Sequence, residues 1–204
     1  MLELDHIVVA APSLSEGVAH VRDRTGLDMP KGGEHPLMGT HNHLLRLGEA
    51  EFLEVISVNP DAPAPDRPRW FGLDRPVRTP RLSHWVVRCA DMNVARPRLP
   101  DFLGPAIPVT RGALSWLLTV PDDGSLPLDG TFPSLIEWKA DPLPPTKMQG
   151  AGADLIELTV SHPEGVRTGS VLRDLLPDPR IRYINGPVGL SAVISVNGTA
   201  RRLS

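Results

Sequence analysis

Leu4-Asp5-His6-Ile7-Val8-Val9 opens the chain, and Leu82-Ser83-His84-Trp85-Val86-Val87 repeats its plan 78 residues later. Each is a short apolar run rich in β-branched residues, the composition of a strand, with one histidine inside it. A second pair follows the same logic. Phe52-Leu53-Glu54-Val55-Ile56-Ser57 in the first half is answered by Leu135-Ile136-Glu137-Trp138-Lys139 in the second, with the glutamates 83 residues apart. The chain therefore reads as a diverged internal repeat, each half supplying one histidine and one glutamate from strands.

The intervening sequence suggests β–α–β–β–β order. Residues 2–11 read as a strand, and Pro12-Ser13 as a turn with a helix N-cap. A helix over 14–24 follows, with Leu14, Val18 and Val21 on one face and Gly26 as its stop. A hairpin runs from His41 to Leu47, through Gly48-Glu49-Ala50, to Glu51–Val58. Prolines crowd residues 60–80, which read as a crossover docked by Trp70, Phe71 and Leu73. The second half restarts with a strand at 81–89. Its helix near 91–103 is shortened or broken by Pro97 and Pro100, and strands near 114–120 and 133–139 follow. A third start at Asp154–His162 leads to a helix over 164–176 and a closing hairpin around Asn197-Gly198. One domain over 1–204 is expected, with a first module at 1–76, a second at 77–145 and a C-terminal half-module at 146–204.

Composition narrows the function classes. The 204 residues are enough to bury a core, and 23 prolines favour short elements over long helices. A net charge of −3 gives no reason to expect nucleic acid or an anionic membrane as partner. The lone Cys89 rules out an internal disulfide and fits a reducing compartment. Acidic residues stand where a signal peptide would be basic, and no apolar run approaches the ~18 residues of a membrane span. A cytoplasmic protein with a small-molecule substrate or ligand is expected. An exposed sheet edge in the C-terminal extension would offer a route to a homodimer.

Strand alternation places His6 with Leu4 and Val8, and Glu54 with Phe52 and Ile56. It likewise places His84 with Leu82 and Val86, and Glu137 with Leu135 and Lys139. A carboxylate on a buried sheet face is costly unless it is paired or binds a cation. Imidazole and carboxylate ligands suit a divalent ion such as Zn, Ni, Mn, Fe or Co. Two neutral histidines and two carboxylates would neutralise that ion, leaving two octahedral positions for water or a chelating substrate. Taken singly, a strand histidine is more often a hydrogen-bonded core residue, and a strand glutamate an edge residue. The paired recurrence favours the metal. A one-residue slip at the last strand would turn Trp138 inward and put Glu137 in water. In the hairpin, His41 and His43 share one face while Thr40 and Asn42 share the other, and one set could line a site. His41, Asn42 and Trp70 are the candidate substrate contacts; turn chemistry and crossover packing are the plainer readings.

These residues together resemble the vicinal oxygen chelate superfamily, which includes glyoxalase I, and more narrowly its bacterial glyoxalase-like proteins. The resemblance is carried by Leu4–Val8, by Gly39–Leu47 with Phe52–Ile56, and by Arg69-Trp70-Phe71-Gly72-Leu73-Asp74. It is detailed over 2–75, looser over 80–140 and faint beyond 150. It implies an α+β fold in which two βαβββ modules form a cupped mixed sheet, here followed by a partial third module. It also implies His6, Glu54, His84 and Glu137 as metal ligands. Glu157 stands where the third start would have its histidine and is not counted among them. No glutathione-binding pattern can be placed.

Three functions follow from the resemblance. The first is a metal-dependent lyase or isomerase acting on vicinal oxygens through an enediolate, with Glu137 or Glu54 as the proton shuttle. The second is a metal-free protein of the same fold that binds or sequesters a small molecule. The third is an Fe(II) extradiol-type dioxygenase, which the second glutamate disfavours.

Overall fold

A computed structural model describes residues 1–148, 150 and 152–204. The first strand, β1 (Glu3–Ala10), ends at a turn where the Ser13 hydroxyl accepts from the Glu16 N–H and so starts α1 (Leu14–Thr25). Gly26, at φ 78°, stops the helix in the left-handed conformation that glycine adopts without penalty. The chain continues through β2 (Lys31–His35), β3 (Thr40–Leu47) and β4 (Glu51–Val58), and β4 returns parallel to β1. The second module repeats the plan with β5 (Arg81–Arg88), α2 (Met92–Ala95), β6 (Ala106–Arg111), β7 (Leu114–Thr119) and β8 (Ser134–Trp138). As the prolines require, α2 is a single turn, followed by short 3-10 turns at 96–98 and 101–103.

The eight strands form one mixed sheet in the order β2-β3-β4-β1-β5-β8-β7-β6. Its centre is the antiparallel pair β1–β5, about which the modules are related by an approximate two-fold. The sheet curls so far that its edge strands approach each other: Arg111 of β6 lies against Gly33 of β2. The fold is α+β with a cupped mixed sheet.

The C-terminal unit carries β9 (Ala153–His162), α3 (Gly165–Arg173), β10 (Ile181–Asn185), β11 (Gly189–Val196) and β12 (Thr199–Leu203). It repeats the βαβββ sequence of elements but not the strand order of the modules. Its own sheet runs β10-β9-β11-β12, with β10 parallel to β9. Asn197 and Gly198 both take positive φ in the β11–β12 turn, as a two-residue hairpin loop needs.

Two apolar layers follow. On the outer face of the large sheet, Ile7, Val9, Val55 and Trp85 join Val21 of α1 and the inner face of the C-terminal sheet, including Leu158, Val160 and Ile194. On the cup face, Val8, Ile56, Val86 and Ile136 join Trp70, Phe71, Trp116 and Leu118. Among the described residues no helix is long and apolar enough to cross a membrane.

Candidate functional site

Two β-bulges at the centre of the sheet decide which side chains enter the cup. In the β1–β5 register Leu4 faces Val87 but His6 faces Val86, so Asp5 is an extra residue. Val8 faces His84 but Val9 faces Leu82, so Ser83 is extra in the same way. Leu4 and Leu82 consequently belong to the outer core, while the two histidines turn inward. Simple alternation, which put Leu4 with His6 and Leu82 with His84, fails at both bulges.

His6 and Glu54 meet in the cup, with His6 Nε2 3.6 Å from Glu54 Oε2. The bulge residue Asp5 is fully buried, and its carboxylate holds His6 Nδ1 at 2.6 Å. Trp138 of the second module donates to the same carboxylate at 2.9 Å. This network orients His6 through Nδ1 and turns its Nε2 toward Glu54. Phe52 stacks on the His6 ring with centroids 4.3 Å apart and fixes its plane.

Asn42 is the hub beside them. Its Nδ2 donates to Glu54 Oε1 at 2.6 Å, and its Oδ1 accepts from the Gly33 N–H at 2.8 Å. Gly32 makes this possible, because a Cβ there would occupy the space of the Asn42 amide. His35 completes the cluster, with Nδ1 3.1 Å from Thr40 Oγ1 and burial holding its pKa near 3, so that it is neutral. Arg111 Nη1 lies 3.3 Å from His35 Nε2 and 3.5 Å from Asn42 Oδ1. Trp70, Phe71, Trp116 and Trp138 wall a space of about 440 Å³, counting its open mouth.

The other predicted residues lie elsewhere or are already engaged. His84 is fully buried: Nδ1 donates to the Gly130 carbonyl at 3.4 Å, and Nε2 accepts from Ser134 Oγ at 2.9 Å. Burial lowers its pKa to about 3. Val8 pairs with Glu54, and Val86, the counterpart of Val8, pairs with Ser134. The second-module counterpart of Glu54 is therefore Ser134. Glu137 lies three residues further on and faces the outer side of the sheet, where it accepts from the Met92 N–H at 2.9 Å and pairs with Lys139. Trp138 is the side chain that enters the cup. His41 alternates away from Asn42 and is half-buried on the other face, whereas Asn42 and Trp70 line the cup.

The expected four-ligand set is thus not brought together. Glu137 is on the wrong face, His84 has no free lone pair, and a guanidinium stands in the cup beside the remaining two. Among the described residues no group of three or more His, Cys, Asp or Glu side chains is arranged to hold a metal ion. Sequence reading missed Asp5, His35, Arg111 and Ser134. A signal for Arg111 lay unread in Gly33, whose missing Cβ makes room for the arginine side chain.

Residues 4–176 match the model of a family described as glyoxalase-like domain. No curated protein matches. A hypothetical protein from Staphylococcus aureus aligns over 100% of this chain and 99% of its own, with a TM-score of 0.63 and 14% identity. That likeness is one of fold. A Streptomyces coelicolor methylmalonyl-CoA epimerase in complex with 2-nitronate-propionyl-CoA aligns over 67% of this chain and 97% of its own, with a TM-score of 0.45 and 17% identity. The Mycobacterium tuberculosis epimerase covers 68% and 88%, with a TM-score of 0.44 and 17% identity.

Proposed function

The chain belongs to the glyoxalase-like family of the vicinal oxygen chelate superfamily, and we propose that it is a lyase or isomerase that moves a proton on a small, oxygen-bearing substrate. The observation that carries this reading is the setting of Glu54. Its carboxylate is 5% exposed and is fixed by Asn42 in an aromatic cup beside Nε2 of His6. Once Glu54 takes a proton from a carbon next to a carbonyl, its O–H becomes a donor to His6 Nε2. Asp5 stabilises the imidazolium if the proton moves on, the arrangement of a base held by an orienting carboxylate. Arg111 offers N–H donors to the oxygen on which negative charge develops. The reading assigns His6 as the partner of Glu54 and Asp5 as a positioning residue.

The test is solvent exchange. A panel of 2-oxo acids and α-hydroxyketones is incubated in D2O with protein, and loss of the α-proton signal is followed by NMR. Wild type should accelerate exchange of at least one member, and Glu54→Gln should slow it by about 10²–10⁴-fold while still binding that compound. Exchange that persists in Glu54→Gln at the wild-type rate would rule out Glu54 as the base. The aromatic walls favour a second reading, a protein that binds without reaction. Tight binding with no exchange across the panel would select it. The dioxygenase reading needs two histidines and a carboxylate around Fe(II), and the hydrogen bonds of His84 speak against it.

A further inference from the structure

Among the described residues no carboxylate pairs directly with the Arg111 guanidinium inside the cup. The guanidinium stands on the last residue of β6, reaches across to β2, and lies 5.9 Å from the Trp116 ring centroid. Its hydrogen-bond partners among the described residues, His35 Nε2 and Asn42 Oδ1, are both neutral. Burial disfavours its charge, while Glu54 is the carboxylate near enough to favour it. Glu54 nevertheless directs its hydrogen bond to Asn42. A planar guanidinium has five N–H donors, so most remain available to a ligand. Gly33 gives Arg111 its path: a Cβ there would come within 3.0 Å of Arg111 Cδ. The Trp70 indole N–H is buried without a partner among the described residues, its ring 5.0 Å from His35. Two donors, one of them cationic, thus lie close to a neutral imidazole in a cup walled by Trp70, Trp116 and Trp138 together with Leu118 and Ile136.

From this juxtaposition we infer that Arg111 is the seat for the carboxylate of a small organic acid, whose apolar body rests on Trp70, Trp116 and Trp138. A carboxylate there would receive charge-assisted bonds from the guanidinium and pair with it directly, which Glu54 does not. The inference rests on reading the cup as the substrate site, and it narrows the substrate to a monocarboxylate with an apolar tail. The acidic C–H would then lie between a fixed cation and Glu54, as a base acting next to a carboxyl requires. The positive charge that offsets a developing enolate would come from Arg111.

The experiment titrates the intact protein with phenylacetate and benzoate, and with their neutral counterparts phenylacetamide and benzamide. Binding is read from tryptophan fluorescence and calorimetry. At least one acid should bind about tenfold or more tightly than its amide, and Arg111→Met should abolish that preference. Arg111→Lys should restore part of it, since an ammonium supplies charge without the fork. An unchanged urea unfolding transition shows that the variants are folded. Equal binding of acid and amide by wild type, no binding of either acid at millimolar concentration, or undiminished acid preference in Arg111→Met would each overturn the inference. None of these outcomes alters the exchange result for Glu54→Gln, and absence of exchange does not alter the titration.

Discussion

His84 and His35 each commit both ring nitrogens to the fold, and burial keeps both neutral, with pKa values lowered from 6.5 to about 3. The unfolded chain binds protons at these positions from pH ~6.5 downward, whereas the native protein does not until about pH 3. Their contribution is therefore fully present above pH ~6.5 and is lost as the pH falls, by roughly 1.4 kcal/mol per pH unit for each histidine. The urea midpoint should stay level from pH 8 to 7 and fall between 6.5 and 5, before the carboxylates titrate. His84→Asn, which keeps an N–H for the Gly130 carbonyl, should reduce that slope by about half; an unchanged slope would contradict the assignment. Glu137 gives the complementary prediction. Its carboxylate caps the first N–H of α2, so Glu137→Ala should cost about 1 kcal/mol in urea unfolding and leave ligand binding and proton exchange untouched. A loss of exchange in Glu137→Ala would return this residue to the site.

At the scale of elements, α1 is shaped by contact more than by propensity. Gly17 lies mid-helix where alanine would ordinarily gain about 1 kcal/mol, yet a Cβ there would run into Val55 Cγ1 and the Ala11 methyl. Val55 is a fully buried strand residue that cannot swing aside. Gly17→Ala should therefore destabilise the protein by about 1–2 kcal/mol, and a raised melting temperature would show that α1 shifts freely on the sheet. In the second module the prolines reduce α2 to one turn, and the outer face of β5 is covered by β11 instead. The C-terminal sheet does there what a module helix does over β4. The crossover shows strain of another kind: Phe71, against His84 in the cup wall, has φ 57°, a left-handed conformation unusual for a bulky residue. The Gly72 N–H bonded to the Gly124 carbonyl at 2.8 Å helps hold the turn there.

At the scale of the molecule, one apolar layer joins the large sheet to the C-terminal sheet, with Trp85 in contact with both. Two-state unfolding should follow, the tryptophan fluorescence and far-ultraviolet circular dichroism transitions coinciding in urea. Removing residues 177–204 takes away β10, β11 and β12, and would expose Trp85, Leu158 and Val160. That chain should fail to fold; a cooperative transition in it would show that the two modules stand alone. The same view bears on metals. Because His84 is engaged by Gly130 and Ser134 and Glu137 faces the outer side, Mn²⁺, Ni²⁺, Zn²⁺ or EDTA should shift the melting temperature by less than about 2 °C, since a tightly bound ion would stabilise by several kcal/mol. A large shift abolished by His6→Ala would overturn this.

Much was legible from local pattern alone. The twice-repeated strand–helix–strand order, the Ser13 cap, the Gly26 stop, the broken second helix and the Asn197-Gly198 hairpin all follow from propensity and turn chemistry acting over a few residues. So does the placing of Glu54, Asn42 and Trp70 among the candidates. The faces of β1 and β5 were not legible, because side-chain period is two and an extra residue at Asp5 or Ser83 reverses everything on one side of it. Strand pairing decided that Ser134, not Glu137, is the counterpart of Glu54. Only the closing curl of the sheet carried Arg111 from one edge strand to His35 and Asn42 near the other, some 70 residues away in the chain. Backbone hydrogen bonding across strands sets register and curvature, and neither is encoded in any window short enough to read as a motif.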